Sequence, residues 1–135
     1  RRKEICPICG GKLLRSEYQS LLLWGVSYGE LLTKPVVELN RIMDAHADKH
    51  PASEKIFLAL SLLINAGLGN LMLGQTLSRL DGCQASLVRW ISMFVNRTAD
   101  IGIVAANWDK LDQKAVTFLK ETAEDWRKTN PVWFI

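Results

Sequence analysis

The sequence predicts an all-α domain, a compact bundle of about five or six helices with an N-terminal zinc knuckle tied to one of them. Three observations carry this. The chain has 135 residues, 48% hydrophobic and 23% charged, enough to bury a core in one domain and too apolar for disorder. Apolar residues recur at helical spacing along most of its length, and strand-like alternation is missing. A single C-x2-C pair near the start matches a single H-x3-H pair further on.

From the start, residues 3–14 (KEICPICGGKLL) form the knuckle: an extended arm, a tight turn and a second arm, with Gly10 and Gly11 supplying positive φ. Ser16 is placed to cap a helix over 17–33, in which Gly25 and Gly29 mark close packing. Pro35 suits the first turn of a helix over 35–50, which Pro51 stops. Ser53 caps the next helix, with body IFLALSLLI, and a further helix over about 70–80 ends at Asp81-Gly82. Another runs over about 84–97, and Asn107 caps a last one over 108–128. The inner stripe of that last helix is Trp108, Leu111, Ala115, Phe118, Leu119, Thr122 and Trp126. Residues 1–135 thus read as one domain: knuckle 3–14, helical body 16–128 and apolar tail 131–135. The chain starts without Met, so it is expected to be a processed product or an excised piece of a longer protein.

The run Ile56–Ser78 lacks charge and is long enough to span a bilayer, but Asn65, Gly67, Gly69, Asn70, Gly74 and Gln75 interrupt it. It is read as two buried helices joined near Gly67–Gly69, and no membrane partner is expected.

The metal-ligand candidates are Cys6, Cys9, His46 and His50. The Pro between the cysteines and the Gly-Gly after them suit a turn that aims both thiolates at one ion. The histidines are the only two in the chain and lie four apart, on one helix face shared with Leu39 and Met43. Two thiolates and two imidazoles make a closed tetrahedral Zn²⁺ site, with no open position for a catalytic water. A solvated redox pair with ordinary helix-end histidines is the alternative; no βαβ pattern supports it. Cys83 is left as a small apolar residue, and an odd cysteine count without a signal peptide implies a reducing, cytoplasmic setting.

Leu77–Ile91 (LSRLDGCQASLVRWI) has Ser78, Gly82 and Val88 at the small, Gly and apolar places of a helix-turn-helix, and resembles that pattern of bacterial DNA-binding proteins. Asp81 departs from it, because an apolar residue usually precedes the Gly. The resemblance implies that Gln84, Ala85, Ser86 and Arg89 open a major-groove helix, with Arg79 and Arg97 on phosphates. Plain helical packing around a Gly-containing turn is the alternative. CPICGGKL resembles the first half of zinc ribbons and fingers in bacterial and phage DNA-handling proteins, including regulators and transposases, but lacks their second CxxC.

Net charge is +3, mild for a nucleic-acid wrapper. Once both histidines are given to the metal, no catalytic Ser/His/Asp or Cys/His set remains, and no enzyme is expected. The expected function is a zinc-stabilised binding module associating with DNA in a larger regulatory or DNA-handling assembly. The alternative is a protein-interaction adaptor or inhibitor with a structural zinc, self-associating or meeting its partner through Trp133 and Phe134 in the apolar tail.

Overall fold

A computed structural model describes residues 4–10, 14–46, 51–96, 102–104, 108–128 and 132–134. It is mostly helical. Among the described residues there are α1 (Ser16–Gln19), α2 (Tyr28–Leu31), α3 (Val36–Ala45), α4 (Pro51–Asn65), α5 (Gly82–Asn96) and α6 (Gln113–Arg127). Two small sheets join them: an antiparallel hairpin of β1 (Leu22–Leu23) and β2 (Val26–Ser27), and a parallel pair of β3 (Gly102–Val104) and β4 (Val132–Phe134).

The hairpin corrects the helix expected over 17–33. Trp24 and Gly25 have φ of 54° and 77°, the two positive values of a tight I′ turn, and they reverse the chain between Leu23 and Val26. The apolar run therefore divides, with Trp24 and Val26 packing inward while Leu21, Leu22 and Leu23 face out.

The helix expected over 35–50 forms as α3 but ends at Ala45, where His46 leaves the helical conformation. Pro35 has no side chain that can cap it. Its first N–H groups are instead satisfied from a distant loop: Val36 donates to the carbonyl of Leu71 at 2.9 Å and Val37 to that of Gly69 at 3.0 Å. Two further main-chain links hold that loop, a β-bridge between Pro35 and Met72 and a bond from Gly74 N–H to the carbonyl of Leu32.

α4 ends in a Schellman turn: Gly67, at φ 85°, donates to Ile64, and Leu68 donates to Leu63 at 2.8 Å. The helix expected over 70–80 does not follow. Residues 70–76 are irregular and Leu77–Arg79 make a single 3-10 turn, because the loop's polar main chain is used on α3 and Leu32. The expected pair of buried helices over Ile56–Ser78 is thus one helix and a docked loop. Ile56, Phe57 and Leu58 of α4 are exposed, while Leu60 and Leu62 are buried. Among the described residues no helix is long and apolar enough to cross a membrane.

α6 starts later than expected. Trp108–Lys110 form a 3-10 turn, and Asp112 is the cap, its carboxylate accepting from Ala115 N–H at 2.7 Å. Asn107 lies outside the described residues.

The core has two lobes. Leu31, Val36, Leu39, Met43 and Leu60 form the smaller, between α2, α3 and α4. The larger gathers Leu62, Ala66 and Leu68 with Trp90 and Phe94 of α5 and Phe118, Leu119 and Trp126 of α6. Leu63 and Leu71 pack against both. Trp126 is fully buried, with ring centroids 5.7 Å from Phe94 and 6.1 Å from Trp90.

Candidate functional site

The knuckle is a formed turn. Gly10 takes φ 58° and donates to the carbonyl of Cys6 at 2.8 Å, closing the loop over Pro7 and Ile8. Main-chain N–H groups of Cys9 and then Ile8 point at the Cys6 sulfur, and with the Cys9 thiol they hold the Cys6 thiol below its ordinary pKa. Gln19 of α1 clamps the turn: its amide Nε2 donates to the carbonyls of Leu14 at 2.7 Å and Cys9 at 3.2 Å. Sequence reasoning missed Gln19, whose role depends on the chain folding back.

This turn fits half of a zinc site. It presents two free thiols and stabilises the thiolate a metal needs. The histidine half is different. His46 ends α3 with φ −121° and ψ 28°, so the chain leaves the helix there, and His46 is exposed while Leu39 and Met43 are buried. The shared inward stripe expected of Leu39, Met43 and His46 is thus broken at the helix end. His46 Nδ1 lies 2.9 Å from the carbonyl of Ile42, and in the neutral tautomer that donates to this carbonyl Nε2 carries the free lone pair. His50 lies outside the described residues. Among the described residues, no three His, Cys, Asp or Glu side chains are placed to hold a metal, so Cys6, Cys9 and His46 are not brought together as one centre.

At the start of α5 the chemistry is local. Gln84 N–H donates to the Asp81 carboxylate at 2.7 Å, and Asp81 N–H donates back to the Gln84 side-chain oxygen at 3.3 Å. This reciprocal cap explains why Asp81 stands where a helix-turn-helix wants an apolar residue. The D-x-x-Q spacing was the signal available in the sequence. Ser86 is tied within the helix, donating to the carbonyl of Gly82 at 2.8 Å. Arg79 and Arg89 are exposed, and Arg97 lies outside the described residues. The helix expected to precede the turn is replaced by Leu77–Arg79, so α5 stands without the adjoining first helix of the motif. Cys83 is half-buried, with a free thiol. The main chain of Trp133 and Phe134 pairs with Ile103 and Val104.

No family model matches the chain. It is similar to part of UvrABC system protein A: 30% identical over 122 residues to that of Neisseria gonorrhoeae, covering 78% of this chain and 13% of the relative. Against the Chlamydia pneumoniae protein the identity is 36% over 79 residues, 58% of this chain and 4% of the relative. The fold matches the crystal structure of UvrA2 from Deinococcus radiodurans with a TM-score of 0.71 at 23% identity, over 96% of this chain and 15% of that one. The chain therefore spans a small part of the length of these relatives, and the similarity carries no enzymatic activity to it.

Proposed function

We propose that the chain is a helical binding module that associates with DNA as one part of a larger protein, as the segment of UvrABC system protein A to which it is similar is one part of a longer chain. The observation that carries this is the similarity over 78% of the chain. Arg79 and Arg89, both exposed and near the start of α5, supply positive charge for phosphate or base-edge contact, with Gln84, Ser86 and Arg97 as further candidates. Electrophoretic mobility shift at two salt concentrations tests it: binding that falls steeply as salt rises is expected. Absence of binding at low salt overturns it.

In this reading Zn²⁺ stabilises the single domain. Cys6 and Cys9 would hold the ion, and His46, through Nε2, and His50 are the ligands available to close a tetrahedral set. The bound ion would supply structural cross-linking between the N-terminal turn and the helical body. Metal analysis of protein purified without added zinc should give one equivalent, lost in Cys6→Ser and in His50→Ala. Retention of zinc in His50→Ala would remove the histidines from the site; its absence from the parent would remove zinc altogether.

The second reading, a protein-interaction adaptor or inhibitor with a structural zinc, draws on a specific observation. The hairpin and the residue before it leave Leu21, Leu22 and Leu23 exposed. It predicts co-purification or self-association without salt-dependent DNA binding.

A further inference from the structure

Gly10 of the knuckle, Leu32, Thr33 and the loop after α4 line an open groove of about 450 Å³. Small-ligand sites range over roughly 300–1,000 Å³, so it is large enough for one. Its floor is set by main chain. Gly74 N–H donates to the carbonyl of Leu32 at 2.9 Å, and a Cβ at position 74 would lie 2.9 Å from that same oxygen, so only glycine lets the loop seat this closely. The bridge from Pro35 to Met72 pins the neighbouring strand of loop.

The lining divides chemically. Met72, a residue 54% exposed whose backbone is held by the bridge, lines one part as a soft apolar platform suited to a planar ring. Gln75 and Thr33 add neutral hydrogen-bonding groups; the Thr33 hydroxyl donates to the carbonyl of Glu30 at 2.7 Å, so its lone pairs remain for a donor from the ligand. Arg79 is the cation of the lining, and among the described residues its guanidinium has no carboxylate partner. A guanidinium beside an apolar platform selects a ligand with an anionic end and a flat, hydrogen-bonding face.

We infer that this groove binds a nucleotide, its base over Met72 with Gln75 and Thr33 at the base edge, and its phosphate on Arg79. A free nucleoside phosphate and one unit of a DNA strand share this chemistry. Only the choice of the strand as source rests on the DNA-association reading above.

The chain has three methionines, and Met43, buried in the smaller core lobe, serves as an internal control. In full-length protein labelled at the methionine methyls, 5′-deoxyadenosine monophosphate should shift the Met72 resonance and leave Met43 in place. Arg79→Ala should retain the far-UV spectrum of the parent and weaken that response about tenfold or more. Inorganic phosphate alone should bind more weakly than the nucleotide. A Met72 signal unmoved by both millimolar nucleotide and a short single strand overturns the site, as does a response undiminished in Arg79→Ala. If neither ligand moves Met72 while a mobility shift with DNA persists, the groove falls and the DNA reading stands. If the nucleotide moves Met72 and no DNA binds, the groove stands as a site for free nucleotide and the DNA reading falls.

Discussion

The indole N–H of Trp90 on α5 donates to the hydroxyl of Thr122 on α6 at 2.8 Å, and that hydroxyl donates onward to the carbonyl of Phe118 at 2.8 Å. Both residues are buried, so the bond is a fixed polar link across the larger core lobe. Replacing Thr122 with Val keeps the shape and leaves the indole N–H without an acceptor. Thr122→Val should cost about 1–3 kcal/mol in urea unfolding, the penalty of an unsatisfied buried donor. Thr122→Ser should recover most of it. A Val variant as stable as the parent would show that the link contributes nothing net.

Asp81 caps α5 through Gln84 N–H at 2.7 Å. Asp81→Ala should therefore lower stability by about 0.5–2 kcal/mol, and Asp81→Ser should restore most of the loss. Thermal unfolding followed by circular dichroism reads this directly. If Asp81→Ala weakens DNA binding without lowering the melting temperature, the residue belongs to the binding surface rather than to the helix start.

Cys6 is held below its ordinary pKa, chiefly by the N–H of Cys9 and next by that of Ile8. The turn stabilises the thiolate, so the shift should vanish when the turn unfolds. In metal-free protein, the pH midpoint for alkylation of Cys6, followed by mass spectrometry, should be lower in the native chain than in urea. The sign for stability follows: the contribution is present above the unfolded pKa and lost as pH falls through the folded one. Equal midpoints in native and unfolded chains would remove the N–H groups as the cause.

Arg89 is exposed on α5. Arg89→Ala should leave the fold intact, changing stability by less than about half a kcal/mol. If the side chain reaches a guanine edge, DNA binding should weaken by about 1–3 kcal/mol, and more for the preferred sequence than for others. If it meets only phosphate, all sequences should weaken alike and the salt slope should fall by about one. No effect on binding would take Arg89 out of the interface.

The parts of the fold legible in the sequence are those decided locally. The stripe Ala115, Phe118, Leu119, Thr122 and Trp126 is buried as its spacing implies, and α5 follows the apolar run after Gly82 closely. The illegible parts are decided by contacts far along the chain. Residues 70–76 have a composition a helix tolerates, yet the carbonyl of Leu71 is needed by Val36 N–H. Leu21–Leu23 were apolar enough to read as helix, whereas the deciding feature was the pair of positive φ angles at Trp24 and Gly25. For the candidate site, the CxxC turn was legible from Pro7 and Gly10. The failure of His46 to join the cysteines was not, because spacing along a helix cannot say where that helix ends.

The parallel ladder of β3 and β4 has a mechanical consequence. The two strands run the same way, with Gly102 opposite Val132 and Val104 opposite Phe134, and α6 lies between them in the chain. A pull applied between α5 and the far side of β4 draws the strands in opposite directions along their length. The bonds of the ladder then share the load and must break together, in shear, instead of unzipping one after another. Within a longer polypeptide this short pair would act as a clamp, keeping tension generated elsewhere from reaching the buried face of α6.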